Sequence, residues 1–95
     1  MESKPRPGYK YDGIMFIKGA DLRAMRIRAG LTTVQMSMAA MVKTRRSYEH
    51  WERNIGCPNI NQLILMVQAC EQNPAEFVQA CITRTLRELA STPID

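Results

Sequence analysis

Three helix-start signals follow one another from residue 32 onward in this 95-residue chain, and they constrain its fold more than any other feature. Each signal is a residue that can cap a helix N-terminus, followed three positions later by Gln or Glu: Thr32 with Gln35, Asn59 with Gln62, and Asn73 with Glu76. The cap side chain accepts a hydrogen bond from a free backbone N–H, and the later residue can return one. Signals repeated at this spacing predict a chain of short helices.

The first two predicted helices lie before residue 41. Leu22, Met25 and Ala29 recur at helical spacing, and Gly30 ends that run. Thr32 then opens a second, short helix that continues to Ala40. Residues 41 to 43 are expected to connect it to a third.

The third predicted helix spans residues 44 to 53 and is the most informative stretch of the chain. Thr44 can cap its start, and Tyr48 and Trp51 follow at i+4 and i+7 as an inward stripe. Asn54 or Gly56 can take the left-handed conformation that ends a helix. The stripe leaves five polar residues facing outward, namely Arg45, Arg46, Glu49, His50 and Arg53. Such a face suits a nucleic acid.

The last two helices have longer apolar stripes. The stripe of the fourth consists of Ile60, Leu63, Ile64, Val67 and Cys70. The fifth begins with Pro74 at its first position, which proline favours. Its stripe consists of Phe77, Val78, Cys81, Ile82, Leu86 and Leu89. Because four helices suffice to enclose the core, much of this last stripe is expected to be left exposed, and exposed apolar stripes usually mark an interface.

The charge of the chain is uneven. Residues 1 to 56 carry eleven Lys and Arg against five Asp and Glu, a net charge of +6, whereas residues 57 to 95 have a net charge of −2. With 45% apolar residues the chain has room for one core. A basic face beside an acidic half is typical of a DNA or RNA binder that keeps a second surface for protein contacts, although a merely soluble basic surface also fits.

The first 18 residues are predicted to form a basic arm outside the helical domain of residues 19 to 95. Two prolines and two glycines among residues 1 to 13 resist helix formation there, and Lys4, Arg6 and Lys10 make the segment basic. Residues 9 to 17 have enough aromatic and β-branched residues for a strand that pairs with a second copy. A mobile leader ending in an apolar clip on the core fits equally well.

Several classes of protein are disfavoured by what the sequence lacks. No run of 18 apolar residues and no apolar signal core is present, which indicates a cytoplasmic protein without a membrane span. Cys57, Cys70 and Cys81 lack metal-ligand spacing, and His50 is the only histidine, so no metal site is expected. Without a Gly-rich phosphate loop, an acid pair or a nucleophile beside a base, neither an enzyme nor a cofactor is expected.

This order of signals resembles the Cro/Xre-type helix-turn-helix family of phage and bacterial repressors over about residues 20 to 78. The most specific part is Glu52-x-Asn54-x-x-x-Pro58, similar to the family's Glu-x-Gly-x-x-x-Pro, and Arg26-x-x-x-Gly30 also matches. The third helix is similar as well to regulators that sit beside anti-CRISPR genes. The resemblance implies an all-α, five-helix, lambda-repressor-like DNA-binding domain.

The resemblance also implies roles for particular residues. Arg26 and Glu52 occupy positions that form an ion pair in the family, and Tyr48 and Trp51 belong to the scaffold with them. The side chains expected to contact base edges are Arg45, Arg46 and His50. Backbone phosphates are expected to meet Thr33, Lys43, Thr44, Ser47 and Arg53, with Ser47 also placed to reach a base.

The chain departs from the family pattern in helix 2 and in the turn that follows it. Thr33 stands where the family usually has Gln, and Ser37 stands where it usually has Ala. The turn has one extra residue and no Gly. A longer turn is therefore expected, with Met41 or Val42 folded inward.

Two functions from different classes follow from these features. The first is a sequence-specific transcriptional regulator, a dimeric repressor of a phage or mobile-element operon that binds palindromic double-stranded DNA. Its fifth helix, or the strand of the arm, would join the two copies. The second is an antitoxin-type module that neutralises a second small protein and autoregulates its operon.

Overall fold

A computed structural model describes residues 13 to 91 and contains five α-helices over that range. The helices are α1 (Gly19–Ala29), α2 (Thr33–Ala39), α3 (Arg45–Glu52), α4 (Ile60–Ala69) and α5 (Pro74–Ala90). The predicted all-α class and the number and order of the helices are confirmed for the described residues. None of these helices is both long and apolar enough to span a bilayer.

The predicted caps form, and they explain where the helices begin. Thr32 Oγ1 accepts the Gln35 N–H at 3.1 Å, and Gln35 Oε1 accepts the Thr32 N–H at 2.8 Å. Asn59 and Gln62 exchange the same two bonds, at 2.8 and 2.9 Å. Each reciprocal pair satisfies backbone donors that lack a partner within the helix. Local sequence therefore sets these helix starts.

The first four helices end at left-handed residues, three of which are not glycine. Gly30, Met41, Asn54 and Glu71 have φ between 59° and 74°. The residue after Met41, Val42, donates its N–H to the Ser37 carbonyl at 3.1 Å, which closes α2 in the manner of a Schellman motif. A non-glycine residue in this conformation costs about 1–2 kcal/mol. The surrounding packing must offset that cost.

The turn between α2 and α3 contains a left-handed residue, Met41. Met41 is 81% exposed, whereas Val42 packs against the core. The expectation that one of these two residues folds inward is met by Val42. The left-handed Met41 reverses the chain and turns its own side chain to solvent.

The core lies between α1, α2, α3 and α4. Its largest fully buried side chains are Tyr48, Leu22, Met36, Met66 and Val67. The prediction that Ile60 belongs to the inward stripe of α4 is wrong, because this residue is 61% exposed at the first position of the helix. The buried face of α4 instead consists of Leu63, Met66 and Val67, and Cys70 is buried just after the helix.

Helix α5 packs against the core of its own chain more extensively than its apolar stripe predicted. Cys81 is buried, and Phe77 and Val78 pack against the core. All three were expected to face a second copy. That expectation is corrected for Cys81, which is buried within one chain, whereas Phe77 and Val78 are partly buried. Ile82 and Leu89 are partly exposed, and Leu86 is 38% exposed.

Residues 13 to 18 lie against α1 and α5. Arg84 forms an ion pair with Asp21 on α1, and its Nη2 donates to the Phe16 carbonyl at 3.1 Å. Ile17 packs against the core, as expected of an apolar clip. Residues 13 to 17 form no strand in this single chain, and the rest of the predicted strand, residues 9 to 12, lies outside the described residues.

The cysteines offer a direct test of this packing. Cys57 is exposed, whereas Cys70 and Cys81 are buried. Burial, assisted by the negative charge of Asp21, raises the pKa of Cys81 to about 11, so little reactive thiolate forms near neutral pH. A chromogenic disulfide reagent at pH 8 should therefore label one thiol of the native chain quickly, and all three only after denaturation. Cys57→Ser should show no fast phase, and a second thiol that reacts as fast as Cys57 would contradict the fold.

Candidate nucleic-acid interface

The inner face of α3 is anchored by two aromatic residues. Tyr48 is fully buried, and its hydroxyl donates to Glu52 Oε2, one turn later on the same helix, at 2.5 Å. The Trp51 ring meets the Tyr48 ring edge to face at a centroid distance of 6.2 Å. Burial, with the bond to Glu52, holds the pKa of Tyr48 above its usual range and keeps the hydroxyl a donor. Both side chains face the core, as their helical spacing predicted.

Glu52 also joins α3 to α1. Arg26 Nε donates to Glu52 Oε2 at 2.6 Å, and Arg26 Nη2 donates to Oε1 at 3.3 Å. The side chains are only 15% and 9% exposed. Arg26 Nη1 also donates to the Leu31 carbonyl at 3.2 Å. This bidentate pair raises the pKa of Arg26, and it satisfies both charges where water is largely excluded.

A second contact sets the distance between the start of α1 and the end of α3. A Cβ atom at Gly19 would overlap the carbonyl oxygens of Trp51 and Glu52, so only glycine permits this approach. Asn54 Oδ1 accepts the Gly19 N–H at 2.7 Å. Asn54, the left-handed residue after α3, therefore also caps α1 from a distant part of the chain.

The outer face of α3 presents the predicted contact residues to solvent. Arg45 and Arg46 are exposed in the first turn, and Arg53 is exposed just after the last. His50 is partly exposed between them. Lys43 and Thr44 are exposed before the helix, and Thr44 Oγ1 accepts the N–H of the partly exposed Ser47 at 3.3 Å. The face is therefore accessible, and its start is held by a cap.

Glu49 brings the start of α2 to this same surface. Thr33 Oγ1, on the first residue of α2, donates to Glu49 Oε2 at 2.7 Å. Arg45 Nε lies 3.6 Å from the same oxygen. Thr33, predicted to meet a phosphate, thus already uses its hydroxyl proton within the chain. The candidate surface therefore includes the start of α2, which the bond from Thr33 to Glu49 joins to α3.

Sequence reasoning missed several residues that hold this surface. The pairs Thr33–Glu49 and Gly19–Asn54 join parts of the chain that are 16 and 35 residues apart, and nothing in their local spacing indicates them. The i, i+4 spacing of Tyr48 and Glu52 is a local signal that indicates their contact. Within residues 13 to 91, no group of three or more His, Cys, Asp or Glu side chains could hold a metal ion.

Comparisons with protein-family models, with curated proteins and with solved structures find no match to this chain.

The anchoring of α3 can be tested by removing one partner of Glu52. Arg26→Ala leaves the carboxylate largely buried with its charge uncompensated, which costs about 3–5 kcal/mol for a buried pair. Tyr48→Phe removes one hydrogen bond to a charged group, at a cost of roughly 1.5–3 kcal/mol. Urea unfolding of both variants, with Arg23→Ala at an exposed α1 position as the control, measures these losses. Midpoints equal to that of the control would show that the pair does not hold the fold.

Proposed function

We propose that this chain is a lambda-repressor-like, sequence-specific double-stranded DNA-binding regulator of the Cro/Xre type, acting as a dimeric repressor. One observation carries the proposal. Helix α3 is fixed from within by Tyr48 and Glu52, while Arg45 and Arg46 stand exposed at its capped N-terminus. The N-terminal residues of a recognition helix are those that reach base edges in helix-turn-helix proteins.

The chemistry of the outer face supports this proposal. Arginine can donate two hydrogen bonds to O6 and N7 of one guanine, a match worth roughly 1–3 kcal/mol of discrimination. Lys43 and Arg53, exposed at the two ends of α3, bring positive charge to backbone phosphates. His50 lies one turn after Arg46 on the same face, where it adds a further base contact. The net charge of +6 on residues 1 to 56 favours approach to DNA.

Base reading is tested by selecting bound fragments from random duplex DNA. The parent chain should enrich a repeated half-site, and Arg46→Ala should lose the preference at one base pair of it. Arg46→Lys should lose most of that preference too, because an ammonium group cannot reproduce the arginine fork. Arg87→Ala, which removes one exposed positive charge from α5, is the matched control. If Arg46→Ala keeps the parent's preference at every position, Arg46 does not read bases.

The selection also separates the two functional hypotheses. A parent chain that enriches no DNA sequence, yet forms a stable complex with a small protein encoded beside it, would favour the antitoxin-type module. Lys43→Ala offers an independent check, because losing a phosphate contact should reduce the salt slope of binding by about one while leaving the selected sequence unchanged.

The dimeric part of the proposal rests on the exposed end of the α5 stripe. Specific sites are usually read by two copies on half-sites about 34 Å apart, because one recognition helix supplies few base contacts. Cys81 is buried, and Phe77 and Val78 pack against the core of the same chain, which leaves Ile82, Leu86 and Leu89 as the part of the stripe proposed to form the seam.

Light scattering on an α5 variant tests this seam. Glu at both Ile82 and Leu86 should convert a dimer to a monomer and weaken binding to a full palindrome, because burying two carboxylates in an apolar seam is strongly unfavourable. Ala80→Glu, at an exposed position on another side of α5, should remain dimeric. A parent that is monomeric at tens of micromolar, or a double variant that stays dimeric with full affinity, would rule out this interface.

A further inference from the structure

Glu49 is the one acidic side chain on the outer face of α3, and its place there needs an explanation. A carboxylate on a surface that approaches phosphates is repelled by them. Its side chain is 39% exposed, so it is neither a core residue nor fully solvated. Thr33 Oγ1 holds its Oε2 atom at 2.7 Å, across the contact between α2 and α3. The carboxylate is therefore held in position on this surface.

Arg45 shares the same carboxylate oxygen. Arg45 Nε lies 3.6 Å from Glu49 Oε2, and the Arg45 side chain is 64% exposed. Among residues 13 to 91, no hydrogen bond engages the terminal nitrogens of Arg45 or the Oε1 atom of Glu49. The pair thus presents two donor groups next to one acceptor. An exposed pair of this kind contributes little to stability, so stability does not account for it.

This order of groups matches one kind of base-pair edge. In the major groove a G·C pair presents two acceptors, guanine N7 and O6, beside one donor, the cytosine N4 amino group. An A·T pair instead presents an acceptor, a donor and an acceptor. Two donors next to one acceptor complement the first pattern and conflict with the second.

We propose that Arg45 and Glu49 act together as a reader of a single G·C base pair, with Arg45 on guanine, Glu49 Oε1 on the cytosine amino group, and Thr33 as the positioning residue. The inference rests on the proposed DNA-binding function and extends it to Glu49. It also gives Thr33 a use inside the chain in place of a phosphate contact. The acidic residue then adds specificity by excluding bases that offer an acceptor to it.

The experiment combines protein variants with one altered base. Selection from random DNA with the parent and with Arg45→Ala identifies the base pair whose preference depends on Arg45. That pair is then rebuilt with a cytosine analogue that lacks the N4 amino group. The parent should lose roughly tenfold in affinity, about the effect of 1.4 kcal/mol. Glu49→Ala should bind both duplexes equally, because this variant has no carboxylate to accept a hydrogen bond from the N4 amino group.

Two further variants separate reading from folding. Thr33→Val removes the hydroxyl at nearly constant volume and should reduce the discrimination against the altered base. Thr33→Ser keeps a hydroxyl and should retain that discrimination. Glu76→Gln, which removes one exposed negative charge from α5, should behave as the parent and controls for net charge. Circular dichroism confirms that each variant retains its helices.

The outcomes distinguish this inference from the function beneath it. A parent that enriches no sequence overturns both. If a sequence is enriched but the Arg45-dependent position is not G·C, or if the parent and Glu49→Ala suffer the same loss on the altered duplex, only the inference is overturned. Equal discrimination by Thr33→Val and the parent overturns the positioning role of Thr33.

Discussion

The hydrogen bonds to the Glu52 carboxylate are the interactions on which the rest of the structure depends. Three donor groups from Arg26 and Tyr48 converge on its two oxygens, and the site is nearly closed to water. A buried charge is tolerated only when it is paired and hydrogen-bonded in this way. Because Arg26 belongs to α1 and Tyr48 to α3, satisfying Glu52 also fixes the orientation of α3 on the core.

The two ends of α3 are constrained by separate contacts. Thr44 caps its start, and Asn54 ends it in a left-handed conformation while accepting the Gly19 N–H. The glycine allows the backbones of α1 and α3 to meet closely. A helix held at both ends and along one face has little backbone freedom left to lose when its other face meets a ligand, which lowers the entropic cost of binding.

The acidic residues of α3 have opposite surroundings although each follows a partner by four positions. Glu52 follows Tyr48 on the inner face, where it is buried, and Glu49 follows Arg45 on the outer face, where it stays partly exposed. The inner pair contributes to stability because losing a partner strands a charge. The outer pair contributes little to folding, and its groups remain available to a ligand. One short helix thus has a buried face that holds the fold and an accessible face, which is the face assigned to DNA in the proposed function.

Local patterns by themselves determined the helices of this protein, and only the tertiary structure decided which surfaces remain free. Caps such as Thr32 with Gln35 act over three residues, so sequence predicted the helix starts and the inward faces of Tyr48 and Trp51. The Arg26–Glu52 pair was predicted from the family resemblance and not from local spacing. Contacts such as Thr33 with Glu49 and the covering of Cys81 depend on how helices distant in sequence approach one another. Periodicity records which face of a helix is apolar, but the partner that covers that face is set by packing.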